Sequence, residues 1–574
     1  MDRNRTYKVI LSYLNNVIGS SDTNQISKAD KAKQTKAVED LMKNLLNGPL
    51  SQYKDNVYAV GGSVRDELLG KNPKDLDMVV DDPKEKMDGA KKVAQDITDA
   101  LNITTANNPH PLKEQYGIWG VTLLNPKSSS GERKPFIYKG TDISGYVLEL
   151  TPPRKEGPYD TNKREPEYVE YTSLEDDAHR RDLTINALYK NLATNEVKDF
   201  VGGKKDLQEK TLRPPKHPEG IKRIYEDDPL RIFRLVRFGG KLDGFKLDPQ
   251  TEKEVKEFIN SPEGKNALTQ RVSKERVRDE LTNMITHPQG EKAVEALELM
   301  REMNLLEYIS PNFDKMLDMF HDTAYHQGES IWQHTMDVLK KTPPSLKARL
   351  GALFHDIGKL STRSESVKKD DQGNDVQRVH FIGHEDVGPA IAEKALSELK
   401  YPKNVIKPVV DMIGAHMGLK TYGSEKNRTR LRKVRILIEK LYNNLDDALS
   451  LMEADANNRD LHDLQKMREE IKNQKEDDLA KGLLKETPSG AEYISPLSGE
   501  EIKKEYDQLK GQQIGAVKWK LKQMLLQGKF DALDGKDMAL KAKEVLKGIT
   551  SDQNQLEAIM AQMLKKSKSK SFYK

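Results

Sequence analysis

The sequence predicts a multidomain α+β protein in which a small head with a mixed β-sheet is followed by a long helical body. Three observations predict this class. The chain has 574 residues, which is more than one hydrophobic core normally organises. Short β-rich runs alternate with polar or helical stretches between Val57 and about Phe200. After about Glu219, Leu, Glu, Lys and Arg recur at helical spacing almost to the end of the chain.

The local patterns place the individual elements in chain order. The first 55 residues or so are polar, and Asp30–Leu46 has a weak amphipathic helical period. We expect the strands of the head at Val57–Val60, Leu76–Val80, Gly120–Leu124 and Tyr146–Leu150. The polar, Gly-containing segments Ser128–Lys134 and Lys368–Asp375 are expected to be loops, and Lys565–Lys574 is expected to be a mobile basic tail.

Charge and composition limit the partners and the compartment. The chain has 95 basic and 91 acidic side chains and a net charge of +4, so any surface that binds nucleic acid must be locally basic. No apolar run approaches the roughly 20 residues that a transmembrane helix needs. The start, Met1–Arg5, lacks the apolar core of a secretory signal, and the chain has no cysteine. We therefore expect a cytoplasmic protein that does not bind membranes.

A tight turn follows the first expected strand of the head. The glycines Gly61 and Gly62 allow a phosphate to approach the backbone without meeting a Cβ, and the helix that starts after them offers backbone N–H groups to an anion. Arg65 would face the same anion. An ordinary Gly-rich turn is the alternative interpretation.

Two carboxylates on the next expected strand favour the functional interpretation. Strand geometry has a period of two, so Asp75 and Asp77 point to the same face, about 7 Å apart. Paired carboxylates suit Mg²⁺, and two such ions could activate a hydroxyl and neutralise a departing pyrophosphate. Glu149 interrupts another β-like run and is our candidate for a third acid, with a solvent-facing strand position as the alternative.

The head resembles a known family. Gly61–Asp66 followed by Asp75–Asp77 is similar to the first signature of the class II nucleotidyltransferases, which include bacterial CCA-adding enzymes and bacterial poly(A) polymerases. Asp177–Leu188 resembles the second signature, which is associated with ribose recognition. The resemblance implies a head of polymerase-β type. It also implies that nucleotide is bound by Gly61, Gly62, Ser63, Arg65, Arg181 and Asp182.

A capped helix with regularly spaced arginines is expected in the neck. Arg231, Arg234 and Arg237 recur every three residues and lie along one slowly drifting face. An anion such as a triphosphate would relieve their repulsion, and the alternative is a solvated basic stripe. The segment resembles the amino-acid template of the family. That resemblance implies that Asp228 and Arg231 read the base, and that Arg234 and Arg237 hold the triphosphate.

The helical body contains a set of histidines and acids that resembles an HD metal phosphohydrolase. Imidazole and carboxylate together suit transition metals better than an all-oxygen cage does. The proposed ligands are His334, His355, Asp356, His384, His416 and Asp455, while the assignment of His380 is left open. Some bacterial CCA-adding enzymes carry such a domain with phosphatase and 2′,3′-cyclic phosphodiesterase activity. Further on, Lys518, Lys520 and Lys522 are either tRNA-backbone contacts or part of a solvated helix.

The resemblance implies an enzyme that adds C, C and A from CTP and ATP to the 3′ end of tRNA. The alternatives are a poly(A) polymerase, an enzyme that adds only CC or only A, and an HD phosphohydrolase whose head only binds RNA. We expect Mg²⁺ at the head and Ni²⁺, Mn²⁺, a similar ion or Mg²⁺ at the HD site; monomer and dimer stay open. The expected domains are an N-terminal helical extension (1–55), the nucleotidyltransferase head (56–200), the base-reading neck (201–315), the HD domain (316–460) and a tRNA-binding tail (461–574).

Overall fold

The computed structural model describes residues 28–125, 127, 131, 133–157, 166, 168–216, 220–320, 328–369, 375–419, 427–456, 461–488, 490–533 and 535–568. The first half of the expected N-terminal extension, part of the expected loop at Ser128–Lys134 and the last six residues of the expected basic tail lie outside these residues. The chain forms two compact units, one of residues 1–231 and 244–267 and one of residues 232–243 and 268–574. The division into five domains stays a prediction.

The first unit contains a seven-stranded mixed sheet, which confirms the predicted fold class of the head. The strand order is β11-β10-β1-β2-β7-β4-β3. Strands β2 and β7 run parallel, and the other five pairings described in this sheet are antiparallel. The strands of this sheet are β1 (Val57–Val60), β2 (Asp77–Val80), β3 (His110–Lys113), β4 (Ile118–Thr122), β7 (Val147–Thr151), β10 (Leu188–Asn191) and β11 (Val197–Asp199).

All four predicted strands of the head are present, within two residues of their expected ends. Their burial explains why the pattern was readable: the four residues of β1 are buried, and so are the last three of β2. Three short pairs complete the strands of this unit: β5 (Ile137–Tyr138) with β6 (Thr141–Asp142), β8 (Arg154–Glu156) with β9 (Val169–Tyr171), and β12 (Thr211–Leu212) with β13 (Lys246–Leu247).

The helix predicted at Asp30–Leu46 is present as α1 (Lys28–Leu46). Thr35, Val38, Met42 and Leu46 are fully buried and recur every three or four residues, so they form one face of the helix. This face packs in the first unit, and Gln34 Nε2 donates a hydrogen bond to the backbone oxygen of Asp142 at 2.8 Å. The described part of the N-terminal extension is therefore attached to the head.

Most of the remaining chain is helical, as predicted. After α1, the described helices in chain order are α2 (Gly62–Leu68), α3 (Gly89–Ala100), α4 (Leu174–His179), α5 (Gly203–Glu209), α6 (Ile221–Asp227), α7 (Leu230–Lys241), α8 (Pro249–Asn260), α9 (Pro262–Arg271), α10 (Lys274–Ile285), α11 (Gly290–Glu302), α12 (Asn312–Leu317), α13 (Ile331–Lys341), α14 (Leu346–Phe354), α15 (Lys359–Thr362), α16 (His384–Glu398), α17 (Lys403–Ala415), α18 (Asn427–Leu441), α19 (Leu445–Asp455), α20 (Leu461–Ala480), α21 (Gly499–Glu505), α22 (Gly511–Leu526), α23 (Gly535–Thr550) and α24 (Gln553–Lys568).

Two antiparallel hairpins in the second unit depart from the expectation of an all-helical body. They are β14 (Ser364–Lys369) with β15 (Asp375–His380), and β16 (Leu484–Thr487) with β17 (Gly490–Tyr493). The ends of the expected loop Lys368–Asp375 thus belong to strands. These strands contain few apolar side chains, so the alternation that marks a half-buried strand is weak in the sequence.

Candidate active sites

The Gly-Gly turn lies against the acidic residues of the head. Gly61 has a φ of +76°, a left-handed conformation that favours glycine. A Cβ at this position would stand 3.8 Å from Oδ2 of Asp77 and 3.9 Å from Nη1 of Arg181. The backbone of Gly61, which carries no side chain, therefore lies next to the carboxylate of Asp77 and the guanidinium group of Arg181, where a phosphate could approach.

Asp75 and Asp77 are close enough to influence each other. The strand begins at Asp77, so Asp75 lies just before it, but Leu76 and Met78 are buried while both aspartates are exposed, which keeps the two carboxylates on one side. Although solvent reaches the side chain of Asp77, the surrounding protein removes part of its hydration, which raises its pKa. The charge of Asp75 raises this pKa further, and Arg181 lowers it in part. A divalent cation would relieve this repulsion between two acids.

Glu149 stands beside this pair. In the parallel pairing of β2 with β7, its Cα partner is Asp77. The side chain of Glu149 is exposed, as the alternative interpretation expected. Partial loss of hydration nevertheless raises its pKa and the charge of Asp77 adds to the shift, while Lys113 and Arg154 lower it. The register thus places Glu149 beside Asp77. The three carboxylates are not among the groups of described residues whose ligand atoms all lie within 4.8 Å of one another, so a cation held jointly by these three acids stays a prediction.

Arg181 is held in place by a buried acid that the sequence analysis did not assign. Asp177 is fully buried, and its Oδ2 accepts hydrogen bonds from Nη2 of Arg181 at 3.0 Å and from the hydroxyl of Tyr189 at 2.6 Å. Burial alone would raise the pKa of Asp177, but Arg180 and Arg181 lower it below its ordinary value. Asp177 therefore fixes the guanidinium group that faces Gly61.

Three of the expected nucleotide contacts make hydrogen bonds within the head. The guanidinium group of Arg65 is buried and donates to Asn186 Oδ1 at 2.7 Å and to Asp66. The hydroxyl of Ser63 donates to the backbone oxygen of Val60 at 3.1 Å. Asp182 is also nearly buried, and its Oδ1 accepts from Asn186 Nδ2 and from the N–H of Leu183. These contacts favour a bracing role for Arg65, and its contact with nucleotide stays a prediction.

Asp228 and Arg231 lie together at the junction of α6 and α7. Asp228 is the extended residue that ends α6, and its backbone oxygen accepts from the N–H of Arg231 at 3.0 Å. Nη1 of Arg231 donates to the backbone oxygen of Ile224 at 3.0 Å, which fixes the side chain. Among the described residues, the buried hydroxyl of Tyr225 has no hydrogen-bond partner. Burial raises the pKa of Tyr225, the charge of Asp182 adds to the shift and the charge of Arg231 opposes it.

The last of the three expected arginines has an anionic partner in the protein. Within the second unit, Nε of Arg237 donates to Oε2 of Glu280, and both side chains are largely buried. Arg237 also stacks on the ring of Phe238, with its Cζ 4.3 Å from the ring centroid. Arg234 is half-buried one turn earlier. The repulsion inferred from the spacing is therefore relieved at Arg237 by Glu280, and contact of Arg234 and Arg237 with a triphosphate stays a prediction.

All six expected HD ligands lie in the second unit. Each of them lies on a helix or within two residues of the end of one. His334 lies on α13, His384 begins α16, and Asp455 ends α19. His355 and His416 follow directly after α14 and α17. Asp356 comes next to His355, so a helix end presents two ligands at once.

Asp356 is shared by two groups of ligand atoms. Its Oδ2 lies 3.2 Å from Nε2 of His355 and 3.6 Å from Nε2 of His334. Its Oδ1 lies 3.4 Å from Nε2 of His384 and 3.9 Å from Nε2 of His416. Asp455 joins the first group, with Oδ1 3.0 Å from His334 Nε2. The ligand atoms of His334, His355 and Asp356 can converge on one ion, and those of Asp356, His384 and His416 can converge on a second.

Backbone carbonyl groups fix the orientation of three of these imidazoles. The carbonyl oxygen three residues earlier lies 2.8 Å from Nδ1 of His355, 2.8 Å from Nδ1 of His384 and 2.6 Å from Nδ1 of His416. Nδ1 therefore carries the proton, and Nε2 is the ligand atom. Burial lowers the pKa of His416 to about 3, which keeps this ring neutral. Nε2 of His355 is fully buried, and among the described residues it faces the carboxylates of Asp356 and Asp455 without a hydrogen bond of good geometry, as expected of a ligand atom.

Two sets of residues remain outside these centres. His380 ends β15, and its Nε2 lies 2.7 Å from the hydroxyl of Ser366, so the described contacts do not bring it into the HD cluster. In the tail, Lys518 is exposed, whereas Nζ of Lys522 donates to Glu439 at 2.5 Å. The described contacts neither support nor oppose a tRNA-binding role for these lysines.

Three family models match the chain. The "Poly A polymerase head domain" matches residues 57–113 and 123–213, the "Probable RNA and SrmB- binding site of polymerase A" matches 244–317, and the "HD domain" matches 327–452. These matches cover the acidic residues of the head and the HD ligands except Asp455, which lies beyond the end of the HD match. None of the helices in the part of the chain that the structure describes has both the length and the apolar character needed to cross a membrane.

Curated relatives and solved structures agree with these models. The chain is 29% identical to the CC-adding tRNA nucleotidyltransferase of Thermus thermophilus, over 63% of this chain and 68% of that one. It is 27% identical to the multifunctional CCA protein of Cupriavidus metallidurans (61% and 71% covered) and 28% identical to the A-adding tRNA nucleotidyltransferase of Deinococcus radiodurans (71% and 77% covered). The fold is similar to that of the Bacillus stearothermophilus CCA-adding enzyme in complex with CTP, with a TM-score of 0.55 and 17% identity over 90% of this chain and 99% of that one.

Proposed function

We propose that this chain adds C, C and A to the 3′ end of tRNA, because its segments match models of the poly(A) polymerase head, of its RNA-binding segment and of the HD domain, and it is similar to tRNA nucleotidyltransferases. CTP and ATP are the donors, and no nucleic-acid template is used. The observation that carries this proposal is the register pairing of Asp77 with Glu149 beside Asp75 and the Gly61 turn. We infer that these acids hold a catalytic cation and that the adjacent backbone of Gly61 leaves room for a polyphosphate.

The residues of the head support an in-line transfer. The 3′-hydroxyl oxygen of the tRNA attacks the α-phosphorus, the bond to the bridging oxygen breaks, and pyrophosphate leaves. Divalent cations bound by Asp75, Asp77 and Glu149 would activate the hydroxyl and neutralise the departing charge. The bare backbone of Gly61 admits the phosphates, and Arg181, fixed by Asp177, supplies positive charge next to them.

The neck supplies the base preference. We propose that Asp228 accepts a hydrogen bond from the amino group of C or A, and that Arg231 donates to a ring nitrogen or a carbonyl oxygen. Guanine and uracil would leave buried groups unpaired, which costs about 1–3 kcal/mol for each group. The hydrogen bond from Arg231 to the carbonyl of Ile224 supports this role, since it holds the guanidinium group in a defined position.

We further propose that the HD site is a phosphatase and 2′,3′-cyclic phosphodiesterase that trims damaged tRNA ends before nucleotides are added. Two groups of ligand atoms that share Asp356 support binding of two ions. Mixed imidazole and carboxylate ligands favour Mn²⁺, Ni²⁺ or a similar ion, with Mg²⁺ as the alternative, whereas the all-carboxylate site of the head favours Mg²⁺.

We also propose a cytoplasmic location, in keeping with the tRNA substrates that the names of the relatives state.

Partial addition is the second candidate. The relatives named CC-adding and A-adding are as similar to this chain as the one named multifunctional CCA protein. A poly(A) polymerase and an HD phosphohydrolase with an RNA-binding head are further alternatives.

One assay separates these functions. The full chain is incubated with Mg²⁺ and tRNA that lacks its 3′ CCA, and is offered CTP alone, ATP alone or both. Growth by three nucleotides only when both are present is the expected result. Two added residues with CTP alone and no A thereafter would identify a CC-adding enzyme, and a long ladder with ATP alone would identify a poly(A) polymerase.

A further inference from the structure

Helix α1 lies outside the four segments that match the three family models, and the first of these segments begins at residue 57. It nevertheless reaches the acidic centre of the head, because Nζ of Lys31 forms an ion pair with Oδ1 of Asp75 at 2.7 Å. We propose that α1 is a working part of the transfer centre: Thr35 positions the turn that carries Asp75, and Lys31 is a substrate-binding residue that moves from Asp75 to a phosphate of the nucleotide. This inference rests on the proposed nucleotidyl transfer.

Thr35 holds the turn before Asp75 from the inside of the protein. Its side chain is fully buried, and its Oγ1 donates a hydrogen bond to the backbone oxygen of Lys74 at 2.8 Å. The same Oγ1 lies 3.3 Å from the hydroxyl of Tyr146. Burial raises the pKa of Tyr146, and the charges of Asp75 and Asp77 add to the shift, so this ring also faces the acidic centre. One buried hydroxyl thus connects α1 to the turn and to the ring beside both aspartates.

A second contact fixes α1 against the helix that follows the Gly-Gly turn. Lys190, on β10, is nearly buried, and its Nζ forms ion pairs with Glu39 of α1 and with Glu67 of α2. A buried cation with two anionic partners is costly to separate from either of them. Helix α1 is therefore anchored on two sides of the centre, at the turn of Asp75 and at α2, and its position does not depend on Lys31.

Lys31 itself is free to exchange partners. Half of its side chain is exposed, as is 70% of that of Asp75, so the ion pair between them is weak and can open at little cost. The ammonium group neutralises the carboxylate of Asp75, so it would compete with a divalent cation for this acid. Once displaced, the flexible lysine side chain stays next to a centre that receives a polyanion, where its charge has a stronger partner.

Two opposite effects of one substitution test the role of Lys31. Lys31→Gln is compared with Lys36→Gln, which removes the same charge from an exposed position of the same helix. In the absence of nucleotide, Mn²⁺ is titrated into the full chain, and the binding that Asp77→Ala abolishes is assigned to this centre. Lys31→Gln is expected to tighten this binding about two- to fivefold, the range of an exposed ion pair. The same variant is expected to raise the KM for CTP by a similar factor or more.

Each outcome decides a separate point. If Lys31→Gln and Lys36→Gln behave alike in both measurements, the role of Lys31 is refuted. If Lys31→Gln weakens both Mn²⁺ binding and nucleotide binding, Lys31 acts only through the structure and the exchange is refuted. If the proposed nucleotidyl transfer itself is wrong, the unsubstituted protein will add no nucleotide. Its Mn²⁺ titration will still report on the centre, so this failure can be told apart from a failure of the proposal about Lys31.

The role of Thr35 is tested with two substitutions of similar volume. Thr35→Val removes the hydroxyl and Thr35→Ser keeps it. Thr35→Val is expected to lower kcat at least about tenfold and to weaken Mn²⁺ binding at the same centre. Thr35→Ser is expected to keep both kcat and Mn²⁺ binding close to those of the unsubstituted protein. HD phosphatase activity, measured on the same samples, shows whether the protein is folded. Equal values for the two variants would overturn the positioning role.

Discussion

Glu149 is the direct register partner of Asp77 across the parallel strands β2 and β7. If it is the third acid of the centre, Glu149→Gln should lower kcat for nucleotide addition about 10- to 100-fold and weaken Mg²⁺ binding, since a charged ligand is lost while the volume is kept. Glu170→Gln, on an exposed position of β9, is the matched control. Mg²⁺ dependence of single-turnover addition measures the effect; equal curves for both variants would remove Glu149 from the site.

The two activities should separate by mutation. Asp75→Ala should abolish nucleotide addition and leave HD phosphatase activity intact, because Asp75 belongs to the centre in the head. His355→Ala should do the opposite, because its buried Nε2 belongs to the cluster around Asp356. Addition to tRNA and hydrolysis of a 2′,3′-cyclic phosphate are measured on the same preparations. Loss of both activities in either variant would contradict two independent sites.

Base discrimination should depend on Asp228. Asp228→Asn replaces an acceptor-only group with one that also donates, so kcat/KM for CTP and ATP should fall about 10- to 200-fold while discrimination against UTP narrows. Asp227→Asn is the neighbouring control, because its carboxylate pairs with Arg223. Competition between labelled CTP and UTP measures the ratio. Unchanged selectivity in Asp228→Asn would move base recognition elsewhere.

Asp177 should make the free energy of unfolding of the protein depend on pH. Its pKa is lower in the folded protein than the ordinary value of about 3.9. The folded state therefore binds fewer protons than the unfolded state at low pH, and the stabilisation is complete above about pH 4 and is lost as the pH falls below it. Asp177→Asn should lower the free energy of unfolding by about 3–5 kcal/mol at pH 7, and by less at pH 3.

Urea unfolding at the two pH values measures this difference. Glu175→Gln, at an exposed position of the same helix, should change stability little at either pH. A gap between unsubstituted protein and Asp177→Asn that stays constant from pH 7 to pH 3 would show that the Arg180 and Arg181 charges do not act on this carboxylate.

Elements with a strong local pattern could be predicted from the sequence. The buried run Val57–Val60 and the amphipathic face of α1 were readable because burial imposes a period on neighbouring residues. The HD ligands were readable because their residue types are rare and specific. The hairpin of β14 and β15 was missed because its strands are mostly polar, so no such period marks it.

Contacts between distant segments could not be predicted. The pairing of Asp77 with Glu149 depends on the register of two strands 72 residues apart, and a shift by one residue would turn the glutamate to the other face. The partners Lys31 with Asp75 and Arg237 with Glu280 likewise follow from packing. Spacing alone predicted neighbouring arginines that are joined by an anion such as a triphosphate or are solvated, and only the fold shows that Glu280 pairs with Arg237.

The hydrogen bonds from Nδ1 of three HD histidines to the carbonyl groups three residues earlier have a consequence for metal exchange. The rotational freedom of these rings is lost when the polypeptide folds, before any ion arrives. Ion capture then involves little loss of side-chain entropy and little rearrangement. Discrimination between ions at this site should follow ionic radius and preferred coordination number, and one ion should replace another without unfolding the helices that surround it.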